Sequence, residues 1–143
     1  MVGVARPPLA PDRPGSEAVT WVPRFALRIG GEPLPKERPR ATKSGRSFTP
    51  KRTREAEARV LAAFRAAYPG AEPLTGRLLV EARFYRATRR GVDADNLGKL
   101  ATDALNGAAY ADDEQIEDLR IKRFYGAGDD ARTEIRIFEA SAS

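Results

Sequence analysis

The chain has 143 residues with a formal net charge of +5, and it contains neither cysteine nor histidine. A chain of this length fits one domain. The missing cysteines exclude disulfides and thiolate chemistry. The missing histidines leave carboxylates, lysines, tyrosines and hydroxyls as catalytic groups, and any bound metal is expected to be a hard ion that prefers oxygen ligands. The charge favours a polyanionic partner, and no apolar run approaches the roughly 18 residues of a membrane span, so we expect a soluble, cytoplasmic protein without a signal peptide.

The first predicted unit is a flexible tail over residues 1–23, which contains five prolines and little apolar periodicity. The folded domain is therefore expected to cover residues 24–140. It begins with a strand, because apolar residues alternate over residues 25–29 before a turn at Gly30 and Gly31.

A basic loop follows over residues 33–48, with three prolines and five lysines or arginines, and we expect no regular element in it. Because prolines reduce the entropy lost when basic side chains are ordered on a phosphate backbone, the loop favours DNA contact, with an ordinary solvated loop as the alternative. The first turn of the next helix adds positive charge, which is disfavoured at a helix N-terminus and hints at a phosphate partner. The candidate DNA-binding residues are Lys36, Arg38, Arg40, Lys43, Arg46, Lys51 and Arg52.

The remaining pattern predicts two helices and three further strands. Thr49 and Pro50 are expected as the N-cap and first residue of a helix that ends near Tyr68. The predicted strands cover residues 77–85, 119–125 and 133–138. A short glycine-containing turn joins the last two strands, so we expect them to form a hairpin. The order is β-α-β-α-β-β, which indicates an α+β domain with a mixed sheet packed against two helices.

The second helix carries most of the residues with chemical potential. Asp95 is expected as its N-cap, and it should end at Asn106 and Gly107, because these residue types tolerate the left-handed conformation. Its apolar face is predicted to hold Leu97, Leu100, Ala101, Ala104 and Leu105. Its polar face is predicted to hold Asp95, Asn96, Lys99, Thr102, Asp103 and Asn106.

Carboxylates gather around both ends of this helix. Asp93 and Asp95 lie at its start, and Asp112 and Asp113 follow it after a short loop, which could turn back so that the second pair reaches the polar face. Three or four uncompensated carboxylates repel one another, and a divalent cation is the simplest compensation. The alternative is that these aspartates are helix caps and turn formers without any ligand.

Mg²⁺ suits such a site, because it takes one or two carboxylates and completes its shell with water and substrate phosphate. The implied chemistry is phosphodiester hydrolysis, in which a metal lowers the pKa of water and neutralises phosphate charge. Lys99 lies one turn after Asp95, where it could orient the attacking water or stabilise transition-state charge. Its alternative role is an ion pair with Asp95 or Asp103 worth about 0.3 kcal/mol. Calcium binding without catalysis is disfavoured, because the D-x-D-x-D-G spacing with a distal glutamate is missing.

Four short motifs stand out together. They are the basic segment over residues 35–40, the pair Thr49-Pro50, the pattern D-x-D-N-L-x-K-x-x-x-D-A-L-N-G over residues 93–107, and the pattern D-D-x-Q-I over residues 112–116. In this combination the sequence resembles the RusA-type Holliday junction resolvases, a family of endonucleases common in prophages. The resemblance covers about residues 25–138, most of the chain.

The resemblance implies roles for individual residues. The positions that match the family's catalytic residues are Asp93, Asp95, Asp113 and Lys99. The three aspartates are expected to bind the metal. The candidates for groups that orient them are Asp103, Asp112, Asn96 and Gln115. The resemblance also implies dependence on Mg²⁺, with Mn²⁺ as a substitute, a homodimer, and four-way DNA junctions as the substrate in recombination and repair.

Two other functions stay open from the sequence alone. A nuclease of the same chemistry that prefers flaps or forks would carry the same residues. A non-catalytic module that binds DNA or metal would be indicated by the loss of an acidic position, and none is lost here. The approximate two-fold symmetry of a four-way junction, which needs two nicks, favours a two-fold dimer with one active site in each chain.

Overall fold

A computed structural model describes residues 19–141 as a four-stranded mixed sheet whose one face packs against two helices. The strands of this sheet are β1 (Trp21–Gly30), β4 (Leu78–Tyr85), β5 (Ile116–Phe124) and β6 (Arg132–Ala140). The other elements are the short strands β2 (Arg40–Ala41) and β3 (Ser47–Phe48) and the helices α1 (Lys51–Ala67) and α2 (Ala94–Leu105). The predicted single α+β domain with a mixed sheet and two helices is confirmed. Within residues 19–141, no helix combines the length and hydrophobicity that crossing a membrane requires.

Of the predicted tail over residues 1–23, residues 1–18 lie outside the described residues, so the structure bears only on residues 19–23. Strand β1 starts at Trp21, so residues 21–23 belong to the sheet and not to a tail. Pro23 is tolerated there because β1 is an edge strand, and its register against β6 shifts between Pro23 and Phe25.

The core lies between the sheet and the helices. The predicted alternation of β4 is confirmed, because Leu78, Val80, Ala82 and Phe84 are at most 2% exposed and belong to the core cluster that contains both helices. The fully buried leucine, valine and phenylalanine side chains among them each stabilise the fold by about 1.5–3 kcal/mol relative to an exposed one. The packing of α2 against the sheet and α1 therefore fixes the position of its exposed side.

The predicted hairpin of the last two strands is wrong. Strand β4 separates them, pairing parallel with β5 and antiparallel with β6, so that the sheet order is β1-β6-β4-β5. The link between β5 and β6 passes over the end of β4: the Arg86 N–H donates to the Phe124 carbonyl at 2.7 Å, and the Ala127 N–H donates to the Arg86 carbonyl at 2.9 Å. A short link normally joins neighbouring strands, but here the backbone that continues β4 fills the space between them.

The basic loop contains a small regular element that the sequence analysis excluded. Strands β2 and β3 pair antiparallel, with Arg40 opposite Phe48 and Ala41 opposite Ser47. The turn between them uses Gly45 at a φ of 85°, a conformation that favours glycine. Helix α1 then starts one residue later than expected, because Pro50 and not Thr49 is its N-cap.

Helix α2 approaches β5 at Gly98. A Cβ built at this position would collide with the Cδ1 atom of Ile121 and would lie 3.1 Å from its Cγ1 atom. Glycine is unfavourable inside a helix by about 1 kcal/mol relative to alanine, so its presence here reflects close packing.

We expect Gly98→Ala to destabilise the fold by about 1 kcal/mol, since overpacking by about 1–3 kcal/mol exceeds the gain in helix propensity. Chemical denaturation measures the free energy of unfolding. Ile121→Val removes the Cδ1 atom, so in the Gly98→Ala background it should recover most of the loss. A stabilised Gly98→Ala variant would mean that Ile121 moves aside without cost.

Candidate active site

The acidic start of α2 is built around Asp93. Asp93 and not Asp95 is the N-cap, and its carboxylate accepts a hydrogen bond of 2.8 Å from the Asp95 N–H. Both aspartates are exposed, and the carboxylate charge lies at the positive end of the helix dipole. The preceding residue is tied to β5, because the Arg123 guanidinium donates to the Val92 carbonyl at 2.6 Å. The sheet thus fixes where these two carboxylates are presented.

The predicted two faces of α2 are confirmed with one exception. All five predicted apolar residues are buried, and the predicted end is confirmed, with Asn106 as the C-cap and Gly107 at a φ of 85°. Thr102, expected on the polar face, is buried, and its hydroxyl donates to the Gly98 carbonyl at 3.1 Å. Its own carbonyl accepts a 2.6 Å hydrogen bond from the buried Tyr110 hydroxyl, so both its side chain and its backbone are bonded inside the fold.

The exposed face of α2 carries a line of alternating charge. Asp95, Lys99 and Asp103 follow one another at intervals of four residues, each about 6 Å further along the axis. The Lys99 ammonium lies 3.8 Å from an Asp103 oxygen, and its side chain remains 62% exposed. Lys99 is therefore loosely held and accessible between acidic groups on both sides.

Lys36 competes for the same carboxylate of Asp103. Its ammonium lies 3.2 Å from Asp103 and 2.7 Å from Glu57 of α1, and its side chain is 19% exposed. Burial alone lowers the pKa of Lys36, but the hydrogen bonds to Glu57 and Asp103 outweigh it and raise the pKa above the ordinary lysine value. Lys36, expected from the sequence to contact DNA, thus joins the basic loop to both helices. Its backbone N–H also donates to the Asn96 carbonyl at 2.8 Å.

The second acidic pair forms a tight turn before β5. Asp112 caps a single 3-10 turn over residues 113–115, and Gln115 closes it by accepting the Asp112 N–H at 2.8 Å. The Gln115 amide donates to the carbonyls of Leu74 and Gly76, each at 2.9 Å. Gln115, expected to orient the metal ligands, therefore orients the turn that carries Asp112 and Asp113.

The two carboxyls of this turn influence each other. Hydrogen bonding to Asp112 raises the pKa of the Asp113 carboxyl; burial and the charge of Asp103 add to the rise, and Lys99 opposes it. The backbone N–H of Glu114 is the main cause that lowers the pKa of Asp112. The ionised form of Asp113 is thus disfavoured by its acidic neighbours, and a cation nearby would relieve this.

The structure brings the candidate residues together in two groups. Asp93 and Asp95 form one group at the start of α2, while Asp112 and Asp113 form the other near Asp103. Lys99 lies between them. In the part of the chain that the structure describes, no three acidic side chains are close enough together to hold one metal ion. The expected return of the loop toward the helix is observed at Asp103 and Lys99, but the two acidic pairs stay apart.

The candidate DNA-binding residues differ in what surrounds them. Arg38, Lys43, Arg46 and Arg52 are exposed, and Lys51 forms a 3.6 Å ion pair with Glu55 on the solvent side of α1. Arg40 lies in strand β2. The sequence analysis missed two arginines that follow β4 and lie beside the basic loop, Arg86 and Arg90.

Comparison with known proteins decides the family. Residues 30–138, well over half of the chain, match the model of the family described as "Endodeoxyribonuclease RusA". The chain belongs to the RusA family. It is also 44% identical over 50 residues to a Bacillus subtilis (strain 168) protein described as "Uncharacterized protein YqaN", a match that covers 35% of this chain and 34% of that protein. The chain thus spans about a third of the length of that relative.

The residues that match the family model nearly coincide with the segment in which the sequence analysis found the resemblance. The match includes the basic loop, α1, β4, α2 and the acidic turn before β5. It therefore contains every catalytic, metal-binding and DNA-binding candidate named from the sequence.

Proposed function

We propose that this chain is a Mg²⁺-dependent endonuclease that resolves four-way DNA junctions by paired nicks in recombination and repair, acting as a homodimer in the cytoplasm. The observation that carries the proposal is the exposed face of α2 in a RusA-family chain, where Lys99 lies between two acidic groups. A prophage origin belongs to the same proposal and rests on the family resemblance alone.

The donor chemistry at the start of α2 fits a hard divalent cation. Asp93 and Asp95 are exposed neighbours that offer carboxylate oxygens, and Mg²⁺ needs only one or two protein carboxylates when water and substrate phosphate complete its shell. Asp113 is the third proposed ligand; because it lies beside Asp103, it would hold an ion together with substrate phosphate, water or a second copy of the chain. When bound, Mg²⁺ supplies a lowered water pKa and neutralises phosphate charge; Mn²⁺ has the same preference for oxygen ligands.

The chain's own residues then act on the scissile phosphate. Lys99 is exposed and held only loosely by Asp103, since Lys36 takes that carboxylate at the shorter distance. Its ammonium is therefore available for negative charge that develops on the phosphate oxygens, an interaction that grows in the transition state. The exposed lysine and arginine side chains of the basic loop neutralise neighbouring phosphates and position the DNA without reading its sequence.

The proposed homodimer follows from the substrate. A four-way junction needs two nicks related by a two-fold axis, and a two-fold pair of chains presents two copies of α2 about a matching axis. Light scattering is expected to report a mass near that of two chains.

The test is cleavage of a labelled synthetic four-way junction with and without Mg²⁺. We expect paired symmetric nicks only when the metal is present, and a supercoiled plasmid with an extruded cruciform should become linear within one binding event. A panel of flap, fork and linear duplex substrates is the control for structure specificity. Preference for flaps or forks would replace the junction by another branched substrate, whereas binding without any cleavage would support the non-catalytic module.

A further inference from the structure

A cleft of about 230 Å³ lies beside the start of α2, between the basic loop, α1 and the loop that follows β4. Its lining includes Pro35, Glu37, Arg52, Arg86, Arg90 and Val92. Val92 directly precedes the N-cap Asp93, so the cleft adjoins the proposed metal-binding end of α2.

The side chains that line the cleft carry a net positive charge. Three guanidinium groups line it against one carboxylate, a local net charge of +2. The one carboxylate belongs to Glu37, which accepts a 3.4 Å hydrogen bond from the Thr53 hydroxyl and keeps its negative charge. Within residues 19–141, neither Arg52 nor Arg90 forms an ion pair, and both are exposed. The cleft therefore has two arginines that are available to an anion.

Arg86 gives the cleft a rigid wall. It is only 8% exposed, and its guanidinium donates a 2.5 Å hydrogen bond to the Pro33 carbonyl. Its Nε atom lies 3.5 Å from a Glu32 oxygen, but their alignment is poor, so this buried N–H has no hydrogen-bond partner among the described residues. The Glu32 carboxylate is its nearest counter-charge, and an anion in the cleft would further compensate the buried guanidinium charge.

The N-terminus of α1 points to the same ligand. Its first turn contains no acidic residue, no side chain caps it, and Arg52 adds positive charge to the positive end of the helix dipole. Helix N-termini with uncapped N–H groups bind phosphate readily. The uncapped start of α1 and the arginine cleft share Arg52, and together they favour an anion.

We propose that this cleft binds a phosphodiester group of the DNA strand that is presented to Asp93 and Asp95. The proposal rests on the proposed nuclease function and adds Arg86 and Arg90 to its DNA-binding surface. A phosphate held there fixes the strand next to the scissile position, so the cleft acts as a positioning site. Its contact is to the backbone and is expected to be independent of base sequence.

The test compares Arg90→Ala with Arg89→Ala. Both arginines are exposed neighbours in one loop, and both variants remove one positive charge, but only Arg90 lines the cleft. Binding to a four-way junction is measured without divalent metal over a salt range of about 50–200 mM. We expect Arg90→Ala to weaken binding about tenfold and to reduce the slope of log affinity against log salt by about 0.9, while Arg89→Ala changes binding less than about threefold.

The binding comparison and one further measurement separate the possible failures. Equal effects of Arg89→Ala and Arg90→Ala on junction affinity would overturn the cleft as a phosphate site and leave the nuclease proposal intact. A wild-type chain that binds no junction DNA would instead overturn the proposed function. Inorganic phosphate is the free-anion probe: a thermal shift that depends on Arg90, with no change in DNA affinity or salt slope, would show a free-anion site and overturn the DNA assignment.

Discussion

Asp95→Asn should reduce junction cleavage by at least about 10³-fold while junction binding stays equal or becomes tighter. The substitution removes a carboxylate that is proposed to hold the metal, and it also removes negative charge that faces the DNA phosphates. The measurements are single-turnover cleavage with Mg²⁺ and equilibrium binding without it.

The structure predicts that this variant folds normally. Asp95 is exposed, and the hydrogen bond at this position uses its backbone N–H, which asparagine retains. The free energy of unfolding should change by no more than about 0.5 kcal/mol. Asp129→Asn is the matched control, since Asp129 is an exposed aspartate in the link between β5 and β6. Loss of binding in parallel with cleavage would show that Asp95 supports the structure or the DNA contact instead of the chemistry.

The elements with strong local signals could be predicted from the sequence. Alternation in β4, the apolar stripe of α2 and its end at Gly107 each depend on residues within one element, and each is confirmed. The order of the strands depends on which backbone fills the gap between them. The link between β5 and β6 is short, but the pairing of Arg86 with Phe124 and Ala127 inserts β4 between the two strands, and no local pattern encodes that choice.

The candidate site, too, could be predicted only in part from the sequence. The residue types and spacing along α2 predicted that Asp95, Lys99 and Asp103 share one helix face, and the structure shows this arrangement. Lys36 differs from the other lysines and arginines of the basic loop because it pairs with Glu57 and Asp103, which lie on two different helices. Charge density alone placed Lys36 on a DNA surface, whereas the fold places it in a network of ion pairs.

The two lysines that share Asp103 should therefore give opposite phenotypes. Lys99→Ala is expected to lower the turnover rate by about 10²-fold with little change in junction affinity, because an interaction that forms mainly in the transition state affects turnover and not binding. Its stability should fall by only about 0.3–0.5 kcal/mol, the value of one exposed ion pair at this helical spacing. Lys122→Ala is the control for removal of an exposed lysine, since Lys122 lies on edge strand β5.

Lys36→Ala is expected to do the reverse, lowering the free energy of unfolding by about 2 kcal/mol, because it leaves the partly buried Glu57 without its cation and Asp103 with only the exposed Lys99. The folded-state pKa of Lys36 is raised, so its contribution to stability is fully present below the ordinary lysine pKa and disappears as the pH rises through the folded value. The stability gap between wild type and Lys36→Ala should accordingly persist at neutral pH and narrow only in strongly alkaline solution. If Lys99→Ala loses affinity and turnover equally, Lys99 is a plain phosphate contact. If Lys36→Ala is fully stable but binds DNA more weakly, Lys36 contacts DNA as the sequence predicted.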